Sequence, residues 1–211
     1  MFKRQRDNFK IKAIEKSNFK NSYDAGADED GNVELNDKLL KKFSEKTYQV
    51  IQRVQEIGLP KRGWQLRLIT TKAFNAIAII KLIAEAEIIR EAKLVIFAIN
   101  IQAAQTLIEL KQRHLLQDTT LIISSIRNAG IKDKSKAVTL LQSHFEIIFI
   151  TSHAKIAVLK TAQGNYYSIE GSGNLSFNAR LEQYIIDNDQ GLWNFSNEWI
   201  NEIQKMKKRH D

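Results

Sequence analysis

Cysteine is absent from this 211-residue chain, proline occurs once, and histidine occurs four times. The lack of thiols excludes disulfides, cysteine nucleophiles and thiolate metal sites, and it fits a reducing compartment. Long apolar runs are missing too. The most apolar stretch, Ala73–Ala86, is interrupted by Asn75, Lys81 and Glu85, which leaves it too short and too charged to span a bilayer. The basic start (Lys3, Arg4, Arg6) is not followed by an apolar segment, so no targeting sequence is expected. A soluble, cytoplasmic protein without stable membrane insertion is the expectation. No internal repeat is visible, and that lack bears on the chemistry below.

What is present is enough apolar material for a core, 43% of the residues, and a formal net charge of +8. The charge is unevenly spread. Residues 1–22 carry seven Lys/Arg against two acids, whereas residues 23–37 carry six acids and no base. Lys205, Lys207, Lys208 and Arg209 add a basic end. A basic surplus favours polyanionic partners such as nucleic acid or anionic lipid, and it serves equally as a solubilising surface.

Three regions follow from the pattern. Residues 1–34 read as an arm, because DAGADEDGN (Asp24–Asn32) is rich in turn formers and has almost nothing to bury. Residues 35–59 read as an amphipathic helix, with Leu39, Leu40, Phe43, Tyr48, Ile51, Val54 and Ile57 at three- and four-residue spacing. Gly58 and Pro60 end it. Its apolar face needs a partner, either its own core or a second chain. Residues 60–211 read as one α/β domain with a mixed, mostly parallel sheet flanked by helices. Strands are expected at Gln65–Thr70, Lys93–Ile99, Thr120–Ile126 and Phe145–Thr151, with helices at Phe74–Arg90, Ile101–His114 and Lys134–His144. A hairpin, His153–Lys160 with Asn165–Ser172, then brings antiparallel strands to the sheet. Gln183–Asp189 offers one more strand, and about Ser196–Lys208 a last helix.

The residues suited to chemistry lie on that hairpin. His153 and Lys155 are two apart, so strand alternation puts both on one face. An ammonium attracts a phosphate while a neutral imidazole attacks it. Glu170-Gly171-Ser172-Gly173-Asn174 ends the partner strand and opens a turn or short helix. Gly171 and Gly173 let backbone approach a ligand closely. Ser172, Asn174 and free N–H groups suit phosphoryl oxygens. Arg180 and Glu182 follow within one or two helical turns, and Glu182 is placed to orient His153.

H-x-K on one strand, G-S-x-N on its hairpin partner and a downstream carboxylate resemble the signature of the phospholipase D superfamily. The resemblance covers roughly Gln65–Asp189, and its motifs lie within His153–Glu182. More loosely, it is similar to single-motif members from phage and bacterial mobile elements. The resemblance implies a phosphodiesterase with His153 as nucleophile or general acid; nuclease, nucleotide phosphodiesterase and lipase readings share that chemistry, and the basic charge without a membrane-seeking segment favours DNA or RNA. Lys155 and Asn174 would hold the phosphate, Ser172 would support the site, and Glu182 would pair with the histidine. Gly171, Gly173, Arg180 and Glu170 would contact substrate. The implied reaction needs no metal and no cofactor and runs through a phosphohistidine. A second histidine must protonate the leaving group. His114, His144 and His210 have no lysine two residues on, so that histidine is expected from a second copy in a homodimer.

Two departures stand against the match. Lys160 occupies the position where the superfamily usually has Asp, and the interval from Lys155 to Gly171 is longer than the tightest pattern, a difference that a longer turn at Thr161–Asn165 absorbs. Lys160 leaves open a catalytically impaired module that binds nucleic acid or a nucleotide, or an assembly subunit carrying the motif as a relic. Blander readings hold elsewhere. Asn75, Asn100 and Arg127 lie near strand-to-helix junctions, where cleft-lining residues and ordinary loop polars both occur. His114 and His144 end helices. Trp193, Phe195 and Trp199 read as packing for the last helix, and of adjacent Tyr166 and Tyr167 one must face outward.

Overall fold

Buried β-branched segments separated by amphipathic ones assemble into a single seven-stranded sheet. The computed structural model describes residues 54–56, 58–70, 75–125, 132–175 and 181–208. The arm and most of the first amphipathic segment lie outside them, as do Arg127, Arg180 and His210. In chain order the elements are β1 (Trp64–Thr70), α1 (Ile77–Ala86), β2 (Ile89–Ile96), α2 (Ile101–Gln112), β3 (Leu116–Ser124), α3 (Lys132–Gln142), β4 (Glu146–Ile150), β5 (Ile156–Thr161), β6 (Tyr166–Gly171), β7 (Glu182–Asn188) and α4 (Gln190–Lys208). The strands lie in the order β1-β7-β6-β5-β2-β3-β4. Among the described residues no helix is long and apolar enough to cross a membrane.

The sheet is mixed, as expected, but its ladders are not mostly parallel. Only β2–β3 and β3–β4 pair in parallel, whereas β1–β7, β7–β6, β6–β5 and β5–β2 are antiparallel. The reason is the connections. Parallel neighbours need crossover helices, which α2 and α3 supply, while the hairpin and the late strand β7 insert between β1 and β2. Strand direction nonetheless keeps a common end. The C-terminal ends of β1, β2, β3, β4 and β6 and the starts of β5 and β7 gather at one edge of the sheet.

Two cores result. Ile79, Ile83, Leu107, Leu110 and Leu141 of α1, α2 and α3 pack against Leu94, Leu121, Ile123 and Leu159 on one face. On the other face, Trp193 and Ile200 of α4 cover Val95, Ile122, Ile148, Ile156 and Val158. Each such Leu or Ile, fully buried, contributes roughly 1.5–3 kcal/mol. Lys93, nearly buried beneath α4, meets Glu91 at 3.1 Å and donates to Asn197 and Asn201, tying the helix to the sheet. Val54, at the tail of the amphipathic segment, is 1% exposed within the first core, so this end packs on its own domain.

Several boundaries differ from expectation, among them the second strand, which runs Ile89–Ile96 and not Lys93–Ile99. The helix expected over Phe74–Arg90 stops at Ala86, because Glu87 turns extended and Ile89 is drawn into the sheet between Leu116 and Thr161. β3 starts at Leu116, four residues earlier than expected, beside Ile89. The last helix starts at Gln190 and not near Ser196, since the Asp189 carboxylate accepts the Leu192 N–H at 3.0 Å and starts a turn that Gly191 tolerates.

Candidate active site

The common edge of the sheet collects the hairpin residues. Val95 of β2 pairs with Ile156 of β5, Ile156 with Glu170 of β6, and Gly171 with Tyr184 of β7. These registers set the segment before Ile156, the turn after Gly171 and the start of β7 side by side.

His153 and Lys155 do not lie on the strand, contrary to the alternation argument. β5 begins at Ile156, because the ladders of β2 and β6 offer it no backbone partner upstream of that residue. The two side chains still meet. The His153 ring stacks on Phe97 with centroids 4.6 Å apart and planes at 20°. Lys155 Nζ stands 5.3 Å from the same Phe97 centroid and donates to the His153 carbonyl at 3.0 Å. His153 is exposed and Lys155 half-buried.

Gly171 and Gly173 serve a neighbour that sequence reasoning missed. A Cβ on Gly171 would come within 2.5 Å of Tyr184 Cδ1 and 2.6 Å of the Gln183 carbonyl oxygen. A Cβ on Gly173 would overlap the Tyr184 hydroxyl and lie 2.8 Å from Cζ. The side chain that the glycines admit is therefore Tyr184 of the protein itself, 1% exposed. Burial, with the nearby Glu182 charge, raises the Tyr184 phenol above its ordinary range.

Glu182 is the first residue of β7, not a residue of a helix after the turn, and it is 4% exposed. It accepts a hydrogen bond from Ser172 Oγ, which in turn accepts the Gln183 N–H at 3.1 Å. The Ser172 N–H donates to the Gln183 carbonyl at 3.0 Å. These bonds fix the turn. Asn174 follows, its side-chain oxygen buried and without a hydrogen-bond partner among the described residues. Desolvation, reinforced by Asp187 on the next strand, raises the Glu170 carboxyl above its ordinary value.

A pocket opens here, lined by Lys155, Glu170, Gly171, Gly173 and Asn174 together with Phe97, Tyr184 and apolar residues such as Ile80, Leu94 and Leu175. Lys155 and Asn174 offer an anion one cation and one amide here, with the Glu170 carboxyl on the same lining and the His153 ring stacked on Phe97 beside it. Phe97 and Tyr184 gave no separate signal in the sequence. Phe97 sits within an apolar run that reads as core, and Tyr184 sits on a strand of ordinary alternation.

The remaining candidates have structural duties. Asn100 caps α2, accepting the Ala103 N–H at 2.9 Å, and Asn75, just before the start of α1, accepts the Ile77 N–H at 3.0 Å. His114 takes φ 57° just after α2. Trp193 of α4 is buried against the sheet, whereas Phe195 is 69% exposed and does not pack the last helix as expected. Tyr167 is buried, while half-buried Tyr166 meets the edge of Trp193. Lys160 stands near the opposite end of β5, its Nζ 5.8 Å from the Tyr166 centroid and away from the pocket.

No family model matches the chain, and no curated protein matches it by sequence. Solved structures do. Nuc of Salmonella typhimurium, described as a phospholipase D family member, is 14% identical with a TM-score of 0.51 over 65% of this chain and 91% of its own. This chain has the fold of that protein. NucT from Helicobacter pylori is 12% identical with a TM-score of 0.49, over 67% of this chain and 96% of that one. Yeast tyrosyl-DNA phosphodiesterase is 15% identical with a TM-score of 0.35, over 51% of this chain and 27% of its own.

Proposed function

We propose that the chain is a phosphodiesterase of the phospholipase D type that cleaves nucleic acid and works as a homodimer. The observation that carries this reading is the meeting of His153 and Lys155 on one aromatic ring, at the rim of a pocket that Asn174 also lines. Lys155 and Asn174 hold the phosphoryl oxygens, and the Ser172–Glu182 bond holds the turn that carries Asn174. An imidazole nitrogen of His153 attacks phosphorus. The N–P bond forms as the bond to the leaving oxygen breaks, and that oxygen takes a proton from a second imidazole. Water then attacks phosphorus, gives its proton to the second imidazole, and the N–P bond breaks.

The chain holds one H-x-K, so His153 of a second copy supplies the second imidazole. The exposure of His153 supports that approach. The +8 charge supports a polyanionic substrate. A second reading, a binding module that has lost turnover, rests on Lys160 at the usual Asp position. The distance of Lys160 from the pocket weighs against it.

The test is cleavage of single- and double-stranded DNA and RNA in EDTA, with His153→Ala alongside. Cutting by the unaltered protein and loss of at least about a thousandfold in the variant are expected, the scale seen when a nucleophile is removed. Undiminished cutting by His153→Ala removes His153 as nucleophile. Salt-dependent binding without turnover in both proteins favours the binding module.

A further inference from the structure

His153 and Lys155 stand in a segment that no neighbouring strand holds, because the β5 ladder begins only at Ile156. A nucleophile left to swing from such a segment spends little time in attack geometry. The side-chain contacts that restrain both residues converge on Phe97, directly after β2. The His153 ring lies on it at 4.6 Å, nearly parallel, and Lys155 Nζ stands 5.3 Å from its centroid. Phe97 also lines the pocket.

We infer that Phe97 is a positioning residue, the shelf that holds the His153 imidazole and the Lys155 ammonium together at the mouth of the pocket. The ring carries no polar atom and does no chemistry itself. Its flat face stacks an imidazole and attracts a cation, and a leucine of comparable size keeps the apolar packing but loses both interactions. The catalytic consequence rests on the phosphodiesterase reading; the stack does not.

Two measurements test this and separate it from that reading. In proton NMR of the full chain, the ring current of Phe97 should move the His153 imidazole C–H signals upfield of those of the other three histidines. The signals are assigned by their loss in His153→Gln and should return downfield in Phe97→Leu. With bis(p-nitrophenyl) phosphate as probe, kcat of Phe97→Leu should fall about 10- to 100-fold with a smaller change in KM, and Phe97→Tyr should recover most of it. A His153 signal at the position of an unstacked histidine, or one unmoved by Phe97→Leu, overturns the inference. So does full kcat in Phe97→Leu. If the unaltered protein cleaves nothing, the phosphodiesterase reading fails and the NMR comparison alone decides the shelf. If Phe97→Leu does not fold, the signal of the unaltered protein and the activity of Phe97→Tyr decide it.

Discussion

Replacing Gly173 by alanine forces a methyl group into the hydroxyl of Tyr184 and to within 2.8 Å of its Cζ. Carbon atoms in contact settle at about 3.5–4.0 Å, so ring or turn must move by the better part of an ångström. The ring has little room, since Tyr184 is 1% exposed in the first core. Gly173 has no left-handed φ, which makes the penalty one of space alone. Overpacking of this kind costs about 1–3 kcal/mol or more. At about 2–4 °C per kcal/mol for a chain of this size, the upper end predicts a Tm lower by roughly 6–12 °C. Asn174 moves with the turn, so cleavage should fall about a hundredfold. Tyr184→Phe removes the atom that overlaps most and should partly rescue Gly173→Ala. In a double-mutant cycle by urea denaturation the pair should couple by about 0.5–3 kcal/mol. The same change should not rescue Gly171→Ala, whose Cβ meets Tyr184 Cδ1 at 2.5 Å and the Gln183 carbonyl at 2.6 Å, both of which persist in phenylalanine. A Gly173→Ala protein as stable as the parent, or single effects that simply add, would refute the reasoning.

Two further outcomes are expected. Burial raises the Asp187 carboxyl, against the lowering effects of Gln65 and Arg67. A carboxyl raised in the folded state binds protons more readily there than when unfolded, so its contribution is best below the unfolded value of about 3.9 and is lost as pH climbs through the folded one. Asp187→Asn should therefore melt higher than the parent at pH 7, with the gap closing near pH 4; a gap that widens toward low pH contradicts the sign. At the far end of the sheet, Asn165 donates to both Glu87 oxygens at 2.8 and 2.9 Å and accepts from Asn188 at 3.0 Å. Asn165→Ala should cost about 2–3 kcal/mol in urea denaturation, as hydrogen bonds to charged groups do, and leave KM unchanged; a loss under about 0.5 kcal/mol would show the network to be slack.

The sequence by itself determined the local pieces. Continuous apolar runs such as Lys93–Ile99 announced buried strands, the Thr161–Asn165 turn announced a hairpin, and that hairpin brings H-x-K and G-S-x-N to the outer ends of its two strands within a short stretch of chain. Periodicity did not locate the break at Glu87, because Ile88 and Ile89 suit either a helix face or a strand until Leu116 and Thr161 claim Ile89. Only the tertiary structure decided where ladders begin and end, and so lifted His153 and Lys155 off the strand. It alone brought Phe97 under them and Tyr184 against Gly171 and Gly173. Those contacts join residues remote in the chain through strand order, and strand order is set by which faces bury one another, a property of the assembled sheet that no single segment carries.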